Sequence, residues 1–212
     1  MAWRLAQDIP RGSYVNLGIG LPTKVAAYIE SAICHSENGV LGVVPVDGEG
    51  DPDLINASKE AVGLMAGGSF FDHATSFAMI RGGHIDISVM GAFQVSGRGD
   101  LANWSADEEL PAVGGAMDLA VGARRVFVLM RHMTRTGQAK VVEECSYPLT
   151  ARGVVERIYT DLAVLRVSAE GLIAEELAPG ITPEKLRACT AATIEIPDPD
   201  AAYRRGPKEA VA

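Results

Sequence analysis

Four short stretches hold residues whose types and spacing could do chemistry. Gly114-Gly115-Ala116-Met117-Asp118 puts unhindered backbone N–H groups near a helix start, where they could hold an oxyanion or a carboxylate. A glycine turn ahead of a helix explains the same residues equally well. Gly91-Ala92-Phe93-Gln94-Val95-Ser96, with Gly99-Asp100-Leu101-Ala102-Asn103-Trp104, sets small residues beside the Gln94 amide. That composition permits close backbone approach to a ligand, and it suits a tightly packed corner as well. Gly18-Ile19-Gly20 follows a strand pattern and precedes a helical one, as a dinucleotide fingerprint would, but Thr23 stands where the third glycine belongs. It reads as a tight turn whose N–H groups face a crevice, beside the polar Asn16. Ser36-Glu37-Asn38-Gly39 places a carboxylate at a strand end before a strong reversal signal, since Asn and Gly both tolerate positive φ. On spacing alone Glu37 reads as an exposed loop residue, the common state of glutamate.

Other chemistries lack their residues. His35, His73, His84 and His132 form no i,i+4 pair and have no cysteine or carboxylate at ligand spacing, so no metal site is expected. Each histidine reads as a hydrogen-bonded core or edge residue. Cys34, Cys145 and Cys189 are odd in number and far apart, which fits reduced thiols. There is no Gly-x-Ser-x-Gly elbow and no Gly-Lys-Ser/Thr phosphate loop.

The elements that must position these stretches alternate in type. Tyr14–Leu17 reads as a strand and Pro22 to about Ser31 as a helix with Pro22 at its first position. Ala32–His35 is a brief run before the Glu37 turn. Asn56 or Ser58 could cap a helix over Lys59–Met65. Ile85–Met90 and Val126–Met130 are compact apolar runs, as in strands covered on both faces. Val154–Tyr159 and Leu162–Val167 could pair, and Thr182 caps a last helix to Cys189 with Pro183 at its first position. The expectation is an α/β fold: a single open, largely parallel sheet with helices on both faces, spanning residues 1–196. Residues 197–212, rich in Pro, Asp and Ala, read as a flexible tail. In such sheets the ligand crevice lies beyond the carboxyl ends of the strands.

Bulk properties narrow the partners. The chain has 212 residues, 48% of them hydrophobic, enough for a real core. A formal charge of −8 repels a phosphate backbone, so nucleic acid is not an expected partner. The longest uncharged run, Gly12–Thr23, is too short to span a bilayer, and Arg4 and Asp8 interrupt any apolar leader. A soluble, cytoplasmic protein without membrane contact is expected.

Taken together, these blocks resemble the B (beta) subunit of the 3-oxoacid CoA-transferases from about Tyr14 to Leu165. The likeness is carried by Asn16–Thr23, Ser36–Gly42, Asp53–Glu60, Ser76–Asp86, Gly91–Ser96, Gly99–Trp104 and Gly114–Leu119. It implies a ping-pong enzyme that moves CoA from an acyl-CoA donor to a 3-oxo acid, with Glu37 as nucleophile and a glutamyl-CoA thioester as intermediate. It implies that Asn16 and Lys59 lie near the thioester and CoA, that Gln94 sits in the active-site block, and that the loop of Gly115, Ala116 and Met117 binds CoA, with Gly115 and Ala116 offering backbone donors and contacting the pantetheine arm. No permanently bound cofactor is implied, the CoA thioester being a substrate. An A subunit is implied, in an A2B2 heterotetramer without which this chain is inactive. The chain departs from the family at Ser58, where relatives carry glycine, and at Arg131, where they carry an acidic residue. The connection before Glu37 is also short.

Pro111-Ala112-Val113-Gly114-Gly115 and Arg125-Val126-Phe127-Val128 are similar to the family members that act on 3-oxoadipate. That favours succinyl-CoA as donor and 3-oxoadipate as acceptor, with Arg98 or Arg135 as candidates for the distal carboxylate, although each arginine singly reads as a surface residue. Acetoacetate as acceptor, and a noncatalytic CoA-binding partner, are the alternatives. A sugar-phosphate isomerase is remote, for want of a phosphate loop.

Overall fold

A computed structural model describes residues 1–46, 48–106 and 112–201. Part of the acceptor-linked stretch, 107–111, and the tail from 202 onward therefore lie outside the described residues. The chain opens with helix α1 (Ala2–Ala6) and strand β1 (Tyr14–Leu17), followed by a 3₁₀ segment over Leu21–Tyr28. Strands β2 (Ile33–Ser36), β3 (Val40–Val44) and β4 (Gly63–Phe70) lead to helix α2 (His73–Arg81). Next come β5 (Ile87–Met90), β6 (Gln94–Ser96), β7 (Leu101–Ala102), α3 (Ala116–Gly122), β8 (Arg125–Leu129) and β9 (Val141–Val142). The last elements are β10 (Val155–Tyr159), β11 (Ala163–Ser168), β12 (Gly171–Leu177), α4 (Pro183–Cys189) and β13 (Ile194–Glu195).

Ten strands form one open sheet in the order β13-β12-β11-β10-β8-β5-β1-β2-β3-β4, and β7-β6-β9 form a small second sheet. The five central strands, β10-β8-β5-β1-β2, are all parallel, whereas β2-β3-β4 and β10-β11-β12 are antiparallel. The expected pairing of Val154–Tyr159 with Leu162–Val167 is found as the β10–β11 hairpin. Along β8, Val126 and Val128 enter one core together with Phe77, Ile80, Leu119 and Leu186 of α2, α3 and α4. Phe127 and Leu129 enter a second core with Leu5 of α1 and Val25 of the 3₁₀ segment. Side chains alternate across a strand, so both faces of the sheet are covered and the middle strands read as unbroken apolar runs.

Two expected helices differ. Lys59–Met65 is not helical. The Asn56 Oδ1 that could have capped a helix instead accepts from Ser58 N–H (2.8 Å) and Glu60 N–H (3.0 Å), closing a tight reversal with Lys59 at φ +64°. The chain then enters β4, whose Gly63, Gly67 and Gly68 would each cost a helix about 1 kcal/mol. The segment after Pro22 winds as a 3₁₀ helix and ends at Tyr28, with Ile29 already extended. The Thr182 cap is found as expected, its Oγ1 accepting from Lys185 N–H at 3.3 Å. Beyond Pro197, Ala201 is tied to β12 by Leu177 N–H at 2.9 Å.

Candidate active site

The chain leaves β1 to one side for β2 and returns on the other side for β5, so a topological switch point lies between β1 and β5. Ligand crevices form beyond the carboxyl ends of strands at such a point. A cleft of about 630 Å³ opens there, walled by Gly18 after β1, Glu37 after β2 and Gly91 after β5, with Phe93, Trp104 and the 112–116 stretch.

Glu37 is held by its turn. Gly39 N–H donates to Ser36 C=O (3.0 Å), and Gly39 itself sits at φ +111°. A Cβ on Gly39 would overlap the Phe71 carbonyl oxygen, and Phe71 N–H donates back to Gly39 C=O at 3.0 Å. Asn38 donates to Ile55 C=O at 2.8 Å. The reversal is thus pinned from two sides, and Glu37 points into the cleft rather than outward as its sequence context suggested. Burial pushes its carboxyl group above the ordinary carboxylate range; a hydrogen bond from the Asn16 side chain and the charge of His73 partly offset this.

Beneath the carboxylate runs a buried polar row. Ser88, Asn16 and His35 stand side by side on β5, β1 and β2 and face α2. Asn16 Nδ2 donates to His35 Nδ1 (3.1 Å), and His35 Nε2 lies 3.0 Å from Ser76 Oγ of α2. The Phe71 ring stacks on His35 with centroids 6.0 Å apart.

On the facing wall, Gly115 precedes α3. A Cβ there would lie 3.7 Å from Glu37 Oε1 and only 2.8 Å from Phe77 Cζ, so glycine is what lets this loop close over the carboxylate. The N–H groups of the first turn of α3, which include Ala116 and Met117, have no intrahelical acceptors. Asn103 braces the opposite lip by donating to Gly91 C=O at 3.2 Å.

The structure therefore brings together Glu37, Asn16, Gly115 and Ala116. Met117 lies at the rim, half exposed. Gln94 is not among the cleft-lining residues; its Oε1 accepts from Ser146 N–H (2.8 Å) and Ser146 Oγ (3.2 Å), pinning a neighbouring loop. Lys59 is exposed on the Ile55–Ala61 hairpin, which Ser36 Oγ anchors through Ala57 N–H at 2.9 Å. Asn56, Glu60 and Ala61 of that hairpin help line a second cavity of about 350 Å³ with Cys34 and Ser36. Arg98 and Arg135 are exposed and absent from the lining of the Glu37 cleft. The Gly18 N–H does not face the crevice as expected, since it donates to Val89 C=O at 2.8 Å.

Among the histidines, His35 and His132 are buried core residues, and burial depresses each to about 4. His73 and His84 are exposed. Burial raises the Cys34 thiol to about 11, which makes it inert at neutral pH. Among the described residues no group of three potential metal ligands occurs, and no helix is long and apolar enough to cross a membrane. Sequence reasoning missed the contact of His35 with Asn16 and of Phe77 with Gly115.

An open, centrally parallel sheet with a half-buried carboxylate in a cleft at its strand ends is the arrangement in which α/β proteins bind small organic ligands. Over residues 1–188 the sequence matches the coenzyme A transferase family, to which the chain belongs. It is 58% identical to the B subunit of 3-oxoadipate CoA-transferase from Pseudomonas putida over 193 residues, covering 88% of this chain and 91% of that protein. It is 47% identical to the B subunit of succinyl-CoA:3-ketoacid coenzyme A transferase from Helicobacter pylori, over 91% of this chain and 96% of that one. In fold it is similar to an acyl-CoA transferase of Escherichia coli O157:H7 solved as a thioester complex with CoA. That match has a TM-score of 0.74 at 17% identity and covers 95% of this chain and 41% of the longer one.

Proposed function

We propose that this chain is the B subunit of a two-subunit CoA-transferase that carries CoA from succinyl-CoA to 3-oxoadipate, with Glu37 as the covalent nucleophile. The observation that carries the reading is Glu37 itself, a carboxylate raised in pKa by burial, aimed into the cleft and 3.7 Å from the position of a Gly115 Cβ. The Glu37 carboxylate attacks the thioester carbonyl, and the C–S bond breaks to release CoA thiolate and leave a mixed anhydride. The thiolate then attacks the Glu37 carbonyl, which expels succinate and leaves glutamyl-CoA. The carboxylate of 3-oxoadipate attacks that thioester, CoA thiolate leaves again, and its attack on the acceptor carbonyl yields 3-oxoadipyl-CoA and free Glu37. No proton transfer is needed for the nucleophile, which reacts as the anion. The site supplies donors for each oxyanion, from the Gly115–Met117 loop and Asn16, and walls that keep water from the anhydride.

Lys59 and Gln94 act in this reading at the CoA end of the substrate and in holding the cleft wall, respectively. None of the described lining residues is basic, so the cation that matches the distal carboxylate of 3-oxoadipate is assigned to the A subunit. The 58% identity to a 3-oxoadipate enzyme favours that acceptor over the acetoacetate alternative. The test is intact mass of the chain, co-expressed with an A subunit and mixed with succinyl-CoA alone. The reading requires a CoA adduct that is absent in Glu37→Ala and discharged faster by 3-oxoadipate than by acetoacetate. A complex that binds succinyl-CoA without forming the adduct refutes it.

A further inference from the structure

The buried row under the nucleophile ends on a helix, and its hydrogen bonds have a direction. Asn16 Nδ2 is a donor only, so His35 Nδ1, 3.1 Å away, must be the acceptor. The proton of the neutral ring therefore sits on Nε2, where it donates to Ser76 Oγ at 3.0 Å. Asn16 Nδ2 also approaches the His35 carbonyl oxygen (3.4 Å), and the same side chain favours the charged form of the Glu37 carboxylate. Asn16 and Ser76 are fully buried and His35 nearly so, so bulk solvent does not reach these links. Asn16 Oδ1 has no protein partner, so the nitrogen side alone determines how the amide is turned.

We propose that His35 is a positioning residue for the Glu37 reaction: by accepting from Asn16 and donating to Ser76, it holds the Asn16 amide with its N–H on the reacting carboxylate and ties that geometry to α2. The inference rests on the Glu37 reading above. His35 touches neither substrate nor Glu37 directly; it acts through Asn16. Without the ring acceptor, and with only the longer contact to the position-35 backbone carbonyl left, Asn16 can rotate and present Oδ1 to the carboxylate, replacing a donor by a repelling acceptor. Loss of one such positioned donor corresponds to roughly a 10²-fold fall in rate.

Two substitutions separate the two ends of the ring. Asn at position 35 offers an amide oxygen near the place of Nδ1, whereas Gln reaches the place of Nε2 and gives Asn16 nothing. With the complex of this chain and its A subunit, the rate of Glu37–CoA adduct formation from succinyl-CoA is measured as a function of thioester concentration, beside the melting temperature of each complex. The expected result is that His35→Gln slows the maximal rate on the order of 10²-fold with an unchanged half-saturating concentration. His35→Asn recovers most of that loss, although it leaves Ser76 unpaired and the larger hole. If both variants form the adduct at the wild-type rate, or lose it only in proportion to the unfolded fraction, the positioning role is overturned. If wild type itself forms no adduct, the Glu37 reading fails first and takes this inference with it.

Discussion

Replacing Gly39 by alanine tests whether the turn, and not merely the presence of Glu37, makes the site. Two costs are legible in the structure. Gly39 sits at φ +111°, outside the range of L-residues, which costs about 1–3 kcal/mol. Its Cβ would also overlap the Phe71 carbonyl oxygen and lie 3.2 Å from the carbonyl carbon, backbone that cannot rotate away, and overpacking of this kind costs about 1–3 kcal/mol. The sum is roughly 2–6 kcal/mol, or about 2–4 °C of melting temperature for each kcal/mol in a chain of this size. Gly67→Ala is the matched control: φ is +83°, but nothing lies within 4 Å of the added carbon, so strain alone of about 1–2 kcal/mol applies. In the remaining folded complex, Gly39→Ala pushes the turn away from Phe71 and carries Glu37 with it. A shift near 1 Å should slow adduct formation by on the order of 10²-fold, while Gly67→Ala acylates normally. The assay is thermal melting of each complex together with single-turnover mass of the CoA adduct. If Gly39→Ala melts with Gly67→Ala and acylates at the wild-type rate, the turn does not govern the nucleophile.

In the proposed reaction Glu37 attacks as the anion, and burial raises its pKa, so activity should be lost as pH falls through a value above the 4.5 of an ordinary glutamate; a pH–rate profile of adduct formation with its acid limb at or below 4.5 refutes this. Gly115→Ala, with its Cβ 2.8 Å from Phe77 Cζ, should destabilise by about 1–3 kcal/mol and lower the acylation rate at saturating thioester, whereas the double variant with Phe77→Leu recovers part of both. At the far face, Asp8 bridges Arg4 (2.7 Å) and Arg157 (2.8 Å) and accepts from the Tyr159 hydroxyl (2.7 Å). Burial works against its charge, but these partners outweigh burial and lower its pKa from 3.8. Asp8→Asn should therefore cost up to about 3 kcal/mol at neutral pH. With the folded pKa below the unfolded one, that difference is fully present above 3.8 and vanishes as pH falls through the lower folded value; a gap that persists in acid contradicts the assignment.

Which parts of this were legible in the sequence follows from how local each signal is. The Asn38-Gly39 reversal, the Thr182 cap and the apolar runs at β5 and β8 are decided within a few residues, and all are found where the pattern put them. Asn56 misled because an Asx side chain accepts N–H groups equally well at a helix start and in a tight turn; what decided was Gly63 to Gly68 further on. The need for Gly39 comes from Phe71, and the need for Gly115 from Phe77, partners 32 and 38 residues away that no local pattern announces. His35 read as a core histidine, and it is one; what the pattern hid is that its two ring nitrogens join Asn16 to Ser76. Blocks shared with a family place residues in a neighbourhood without saying which side of a strand they serve. Gln94 and Lys59 accordingly lie near the site but not on the cleft wall that carries Glu37.

The same geometry explains why one subunit is half a site in the reading proposed. An anhydride and a thioester survive only where water is kept out. This chain supplies a floor, the polar row under Glu37, and a wall, the Gly115 loop, and apolar side chains stand exposed along the described part of its rim. Ile19 is 66% exposed, Met117 50% and Phe93 40%, all at or beside the mouth of the cleft. Singly exposed apolar residues need no explanation, but three around one opening that must be dry do. Covering them with the A subunit would bury apolar surface and seal the carboxylate in one step, and it would bring the cation that the described lining lacks. Docking and catalysis are then coupled through the same residues, so Ile19→Lys should weaken assembly and leave any residual complex leaky, hydrolysing succinyl-CoA faster relative to transfer. An assembled Ile19→Lys complex with an unchanged ratio of hydrolysis to transfer would show that the rim has no part in excluding water.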